Sequence, residues 1–182
     1  NAGAVVFTPR ERDWQRNEVF VDNDGAGSSQ EVKSRKGKWK TTSTPGFALK
    51  RNIYVDGQNP FTEGTARYAH TEKKAEKAFA QWIPTIPETG KYAVYVSYQS
   101  LPESVTDAKY LVFHKGGVTE FLVNQQIGGG TWVYLGSFEF DKGYNDYGMV
   151  VLSNQSKQKG VVCADAVRFG GGMGNIARGG QT

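Results

Sequence analysis

The chain has 182 residues, enough for one well-cored domain and short for two. Its formal net charge is +4, it is 38% hydrophobic and 13% aromatic, and its 23 glycines favour strands and turns over a helical bundle. A single cysteine excludes an internal disulfide framework and a zinc ribbon, and no apolar run approaches the length of a membrane span.

The chain opens on Asn1 with neither methionine nor signal peptide, so it reads as a piece of a longer protein whose targeting information lies elsewhere. Residues 1–17 are polar and read as an extended lead-in. Residues 18–22 read as a first strand that ends in the turn Asn23, Asp24, Gly25. A glycine- and serine-rich stretch leads to residues 36–43, which alternate around Trp39 as a half-exposed strand. Pro45 and Gly46 signal a turn, and residues 47–65 read as a loop. Residues 65–70 form the next strand. Residues 72–83 fit two patterns: Ala75, Ala78, Phe79, Trp82 and Ile83 mark a helical stripe, while Ala78, Ala80 and Trp82 alternate as in a strand.

From Gly90 onward the pattern is β throughout. Tyr92, Val94, Val96 and Tyr98 alternate, and further strands are predicted over 108–114, 118–124, 131–140, 149–153 and 161–169. Glycine-containing turns separate most of them. Short strands at this spacing predict an all-β, antiparallel sandwich over residues 18–169, followed by a glycine-rich linker over 170–182.

The ordered series is diagnostic as a set. It comprises residues 90–98, Ala108 to His114, Val123 to Gln126, Trp132 to Phe140 and Val161 to Phe169, preceded by Val21-Asp22-Asn23, Gly37-Lys38-Trp39, Ala66-Arg67-Tyr68-Ala69 and Ala80-Gln81-Trp82. This set resembles the golvesin C-terminal-like domain, also called the xanthan lyase-like carbohydrate-binding domain. The resemblance implies a jelly-roll-like β-sandwich. It implies a non-catalytic accessory role beside secreted or envelope-associated bacterial enzymes, including xanthan lyase-like proteins and N-acetylmuramoyl-L-alanine amidases. The expected partners are then polysaccharide or peptidoglycan and the catalytic domain of a parent chain. The resemblance also favours the strand reading of 78–82 and makes 47–65 a possible loop insertion.

The closing strand poses the main chemical question. On a flat strand Val161, Cys163, Asp165, Val167 and Phe169 share one face, so Asp165 sits among apolar side chains and requires a partner. By analogy with jelly-roll modules that hold a structural calcium ion between first and last strands, Asp22 or Glu18 could join Asp165 around a cation. The competing expectation is a clamp, with Asp165 accepting backbone N–H bonds or pairing with an arginine. Arg168, on the opposite face, is then the residue better placed to meet a ligand.

Sugar binding needs exposed aromatic rings with planar polar side chains beside them. The candidates are Trp39, flanked by lysines, Tyr144 and Tyr147 in a loop, and Gln125 and Arg168 as polar partners. The basic run over 33–40 reads first as a lysine-guarded edge strand, which makes nucleic acid an unlikely partner. No catalytic motif is present. A Cys163–His114 dyad is possible on paper, and a buried, inert thiol is the simpler reading of Cys163. The alternatives to a binding module are a purely structural or protein-interaction sandwich and, least favoured, a hydrolase.

Overall fold

The computed structural model describes residues 18–33, 38–48 and 59–170. The predicted lead-in, residues 34–37 of the basic run, residues 49–58 of the loop and the glycine-rich tail beyond Gly170 lie outside the described residues.

Fourteen strands and one short 3-10 turn, Pro60–Thr62, make up the regular structure of these residues. A four-stranded sheet joins β1 (Val19–Asp22), β14 (Ala166–Phe169), β7 (Gly90–Val96) and β10 (Val133–Phe140), in that order. A five-stranded sheet has the order β2 (Ser28–Val32), β5 (Ala78–Trp82), β12 (Met149–Ser153), β8 (Ala108–His114) and β9 (Gly117–Val123). A three-stranded sheet joins β13 (Val161–Ala164), β4 (Arg67–His70) and β3 (Lys40–Thr41), and a small ribbon pairs β11 (Gly143–Tyr144) with β6 (Thr85–Ile86). Every ladder between these strands is antiparallel. The sandwich expected from the sequence is therefore present.

Its core follows from strand alternation. Val21, Val94, Val96, Val167 and Phe169 point inward from the four-stranded sheet. They meet Ala80, Trp82, Tyr110, Val112, Val150 and Leu152 from the five-stranded sheet. All these residues are buried. The ambiguity at 72–83 resolves to a strand, because 78–82 lies between β2 and β12 with Ala78, Ala80 and Trp82 facing the core. A helix there would leave both neighbouring ladders unpaired.

Two expectations need correction. The strand β2 replaces a stretch read as a glycine- and serine-rich connection. Its polar residues, Ser28 to Glu31, suit an edge position with half-exposed side chains. The closing segment is not one flat strand. It breaks at Asp165, with β13 in the three-stranded sheet and β14 in the four-stranded sheet. The predicted alternation of faces fails there. Val162, Cys163 and Ala164 all reach the main core, whereas Ala166 joins a second cluster on the outer face of the four-stranded sheet.

That outer face is covered in part by the segment read as a loop. Gly46 and Gly64 bridge to one another, and Asn59 caps the turn at Pro60–Thr62 by accepting the Phe61 N–H at 3.0 Å. These contacts set Phe47 and Phe61 against Trp132, with ring centroids 5.1 and 5.4 Å away.

Candidate functional site

The break at Asp165 brings five parts of the chain together. The carboxylate is fully buried and both its oxygens face the Phe47 N–H, at 2.9 and 3.1 Å. The Asp165 carbonyl accepts from the Trp82 indole N–H at 3.2 Å. Next to it, Ser97 engages Ala166 on both sides: its hydroxyl accepts the Ala166 N–H at 3.1 Å and its own N–H reaches the Ala166 carbonyl at 2.9 Å. With its side-chain nitrogen turned toward the acids, Asn23 donates to Asp22 Oδ1 at 2.7 Å, to the Thr65 carbonyl at 2.8 Å and to Asp165 Oδ1 at 3.2 Å. Its oxygen then accepts from Arg67 at 3.0 Å, and Arg67 also pairs with Asp24.

The electrostatics follow from this packing. Burial pushes the Asp165 carboxyl up to about 8, against the lowering effect of the Phe47 N–H and with help from the Asp22 charge. Burial likewise pushes Asp22 up to about 7, against the Asn23 N–H. Asp165 is thus a clamp that ties the last strand to the first turn and to the segment at Phe47.

The suggested calcium trio does not assemble. Glu18 is drawn to Arg168, with Oε1 2.7 Å from Nε, and so leaves Asp22 and Asp165 as the only two carboxylates of that set in one place. Among the described residues no group of three or more His, Cys, Asp or Glu is placed to hold a metal ion. The Asn23 amide already bridges the acids while satisfying Arg67, which an oxygen facing the acids would not do.

Two predicted ligand contacts turn out to be parts of the fold. Gln125 is fully buried. Its side-chain nitrogen donates to the Tyr110 hydroxyl at 3.0 Å and the Cys163 carbonyl at 2.9 Å, and its oxygen accepts the Cys163 N–H at 2.8 Å. Its amide is consumed inside the sandwich and offers nothing to a surface ligand. Arg168 stands in a row across the outer face, Phe20–Arg168–Tyr95–Tyr134, set by the registers of β1, β14, β7 and β10. Its guanidinium lies 4.9 Å from the Tyr95 ring centre and 5.9 Å from that of Phe20, and the residue is only 9% exposed. Stacking and the Glu18 charge account for its position, so it packs and pairs rather than projecting toward a ligand.

Trp39 is half-buried. It packs against the main core, and its indole N–H donates to the Glu31 carbonyl at 3.1 Å. Tyr144 and Tyr147 stand apart from all of these. They are 59% and 51% exposed, and no other aromatic is found among the large exposed hydrophobic residues described. They lie on residues 141–148, anchored where Tyr144 pairs with Thr85 and Lys142 N–H donates to the Thr89 hydroxyl. The exposed Asp146 and the half-exposed Asn145 lie between them. Gln125 and Arg168 are thus buried away from the surface, and Tyr144 and Tyr147 are the two of the five that are both exposed and on one segment.

Nor do the nucleophile candidates combine. Cys163 is fully buried, burial pushes its thiol up to about 12, and its sulfur accepts the Gln99 N–H at 3.3 Å. The His114 ring engages the Lys115 carbonyl and the Thr119 hydroxyl.

Three outcomes test this assignment. Gln125→Leu strands the Cys163 N–H and carbonyl and the Tyr110 hydroxyl, so denaturant unfolding should show a loss of about 2–4 kcal/mol. The Asp pair binds protons in the folded state that the unfolded chain, with carboxyls near about 4, has already released. Stability should therefore fall as pH rises from about 4 toward 7–8 and level off above that, and Asp165→Asn should flatten the slope. Melting curves across that range measure it. Calcium added to chelator-treated protein should leave the Tm unchanged, whereas a rise of several degrees would recast Asn23 as an oxygen ligand between Asp22 and Asp165.

Comparison with known proteins agrees with the fold. Residues 19–171 match the family model described as the golvesin C-terminal domain. The chain is 32% identical over 154 residues to the xanthan lyase of Bacillus sp. (strain GL1), an overlap of 83% of this chain and 14% of that protein. The solved structure of Paenibacillus xanthan lyase superposes with a TM-score of 0.62 at 28% identity, over 85% of this chain and 13% of that one. The chain thus spans about one-seventh of these relatives. With its sandwich and a family match that spans residues 19–171, the chain belongs to the golvesin C-terminal domain family.

Proposed function

We propose that this domain is a non-catalytic accessory module that binds carbohydrate through the loop bearing Tyr144 and Tyr147. The observation that carries the reading is their exposure, 59% and 51%, in a protein whose other described aromatics are buried or half-buried. Leaving two tyrosines in water forgoes the burial their rings would gain in a core, and an exposed ring is a flat apolar face with a polar edge. Such a face suits the C–H side of a sugar ring, and Asn145 and Asp146 bring planar polar groups to its hydroxyls. The kinship with a xanthan lyase supports polysaccharide as the ligand class.

In this reading the module serves a secreted or envelope-associated bacterial enzyme that degrades polysaccharide or peptidoglycan, of the lyase or the amidase kind. It holds substrate near a catalytic domain and carries out no chemistry itself. A purely structural sandwich is the alternative. It predicts that removing the two rings changes nothing but local packing.

Titration of the protein with xanthan, other soluble polysaccharides and peptidoglycan fragments separates the two readings. Tyr144→Ala with Tyr147→Ala should weaken binding about tenfold or more, a loss of about 1.4 kcal/mol, at unchanged Tm. Absence of binding to all of these ligands, or binding indifferent to the double substitution, would reject the site.

A further inference from the structure

The five-stranded sheet ends in an edge unlike the other edges. β9 pairs with β8 over seven consecutive positions without a bulge, from Ala108↔Val123 to His114↔Gly117. The two-residue turn Lys115-Gly116 makes His114 and Gly117 the closing hydrogen-bonded pair. Thr119, Phe121 and Val123 therefore direct their backbone groups to β8. Val118, Glu120 and Leu122 direct theirs away from the sheet, and none of these three makes another backbone bond among the described residues. Among the described residues, three N–H groups and three carbonyls thus stand in a row without a backbone partner.

The same three residues carry the exposed side chains of the strand. Val118 is 52% and Leu122 60% exposed, with exposed Glu120 between them. Behind them the outward faces of Phe113 and Leu111 extend the apolar surface, since Val118 lies opposite Phe113 and Glu120 opposite Leu111. Edges are ordinarily guarded by shortness, bulges, lysine or proline. β1 and β3 are short, β10 carries a bulge between Tyr134 and Gly136, and β2 runs into Lys33 with Trp39 on its Glu31 carbonyl. β9 is seven residues long, without bulge, lysine or proline, and its single charged guard is the acid Glu120.

We propose that β9 is a docking edge for an extended segment of a partner protein, added as a sixth strand, with a lysine or arginine opposite Glu120 flanked by apolar residues. The hydrogen-bonding row fixes the occupant as a strand. The order apolar, acidic, apolar along the edge fixes its pattern as apolar, basic, apolar at alternate positions. A second copy of this chain is the poorer fit. Antiparallel pairing that uses all three residues sets Val118 against Leu122 but places Glu120 directly against Glu120, where like charges repel.

The test uses a threonine heptapeptide carrying valine, lysine and isoleucine at its second, fourth and sixth positions, and a twin with glutamate in place of lysine. The lysine peptide should slow amide exchange at Val118, Glu120 and Leu122 and bind about fivefold or more tightly than its twin. Glu120→Lys should reverse that preference without loss of fold, so a variant that binds neither peptide but keeps its spectrum counts against the proposal. Equal binding of both peptides by the native chain, or protection elsewhere only, would overturn it. So would concentration-dependent dimerisation that protects the same three amides, which would assign the edge to a second copy.

Discussion

The fold depends on a carboxyl group buried where one strand leaves a sheet and enters another. Between Ala164 and Ala166 the chain changes ladders, and the backbone groups at such a corner have no strand partner of their own. Here two of them find side chains, and the corner's own carboxyl meets a backbone N–H from elsewhere. The Trp82 indole takes the Asp165 carbonyl, the Ser97 hydroxyl takes the Ala166 N–H, and the Asp165 carboxyl takes the N–H of Phe47. Burying an ionised carboxylate costs several kcal/mol unless donors face it, and burial accordingly pushes the Asp165 carboxyl up to about 8 against the lowering effect of the Phe47 N–H. The corner thereby fixes β5, β7, the first turn and the Phe47 segment relative to one another.

The same device recurs at other corners. Asn154, fully buried at the end of β12, accepts the Lys77 and Ala78 N–H groups at 2.9 Å each and donates to the His70 carbonyl at 2.9 Å. It thus joins the end of β4 and the start of β5 to the end of β12. Gln125 does likewise between the segment after β9 and β13. Apolar burial supplies the bulk of the driving force but is indifferent to exact placement. These amides and the one carboxyl are selective, because each would be left unsatisfied if its element moved.

How far the sequence speaks depends on whether a feature has a period. The strands from Gly90 onward alternate strongly, and their positions are read within a few residues. β2 was missed because Ser28, Ser29, Gln30 and Glu31 carry no apolar alternation; its strand character comes from the open side of β5. The break at Asp165 is invisible to periodicity, since apolar residues continue on both sides. The small residues Ala164 and Ala166 are the only local hint. Gln125 and Arg168 show a different limit. A polar residue beside aromatics looks like a binding group in one dimension, and only the packed structure shows the amide spent inside and the guanidinium stacked on Tyr95. Tyr144 and Tyr147 were legible because Gly143, Asn145, Asp146 and Gly148 mark a turn that cannot bury them.

The loop that bears Tyr144 and Tyr147 and the open edge β9 are joined through the five-stranded sheet. Met149, immediately after the tyrosine loop, pairs with Phe113, and Phe113 pairs with Val118 at the start of β9. A single cross-strand row therefore runs from that loop to the open edge, and Lys115 at the hairpin tip reaches Asp141 at the loop's beginning, 3.6 Å away. That contact is an exposed ion pair and adds little stability. Its geometric meaning is greater. The start of β9 is thereby linked, through Phe113 and Met149, to the segment that carries the two exposed tyrosines. In the proposed reading, a sandwich that carries both features holds a polymer at a fixed position relative to the protein that contributes the strand.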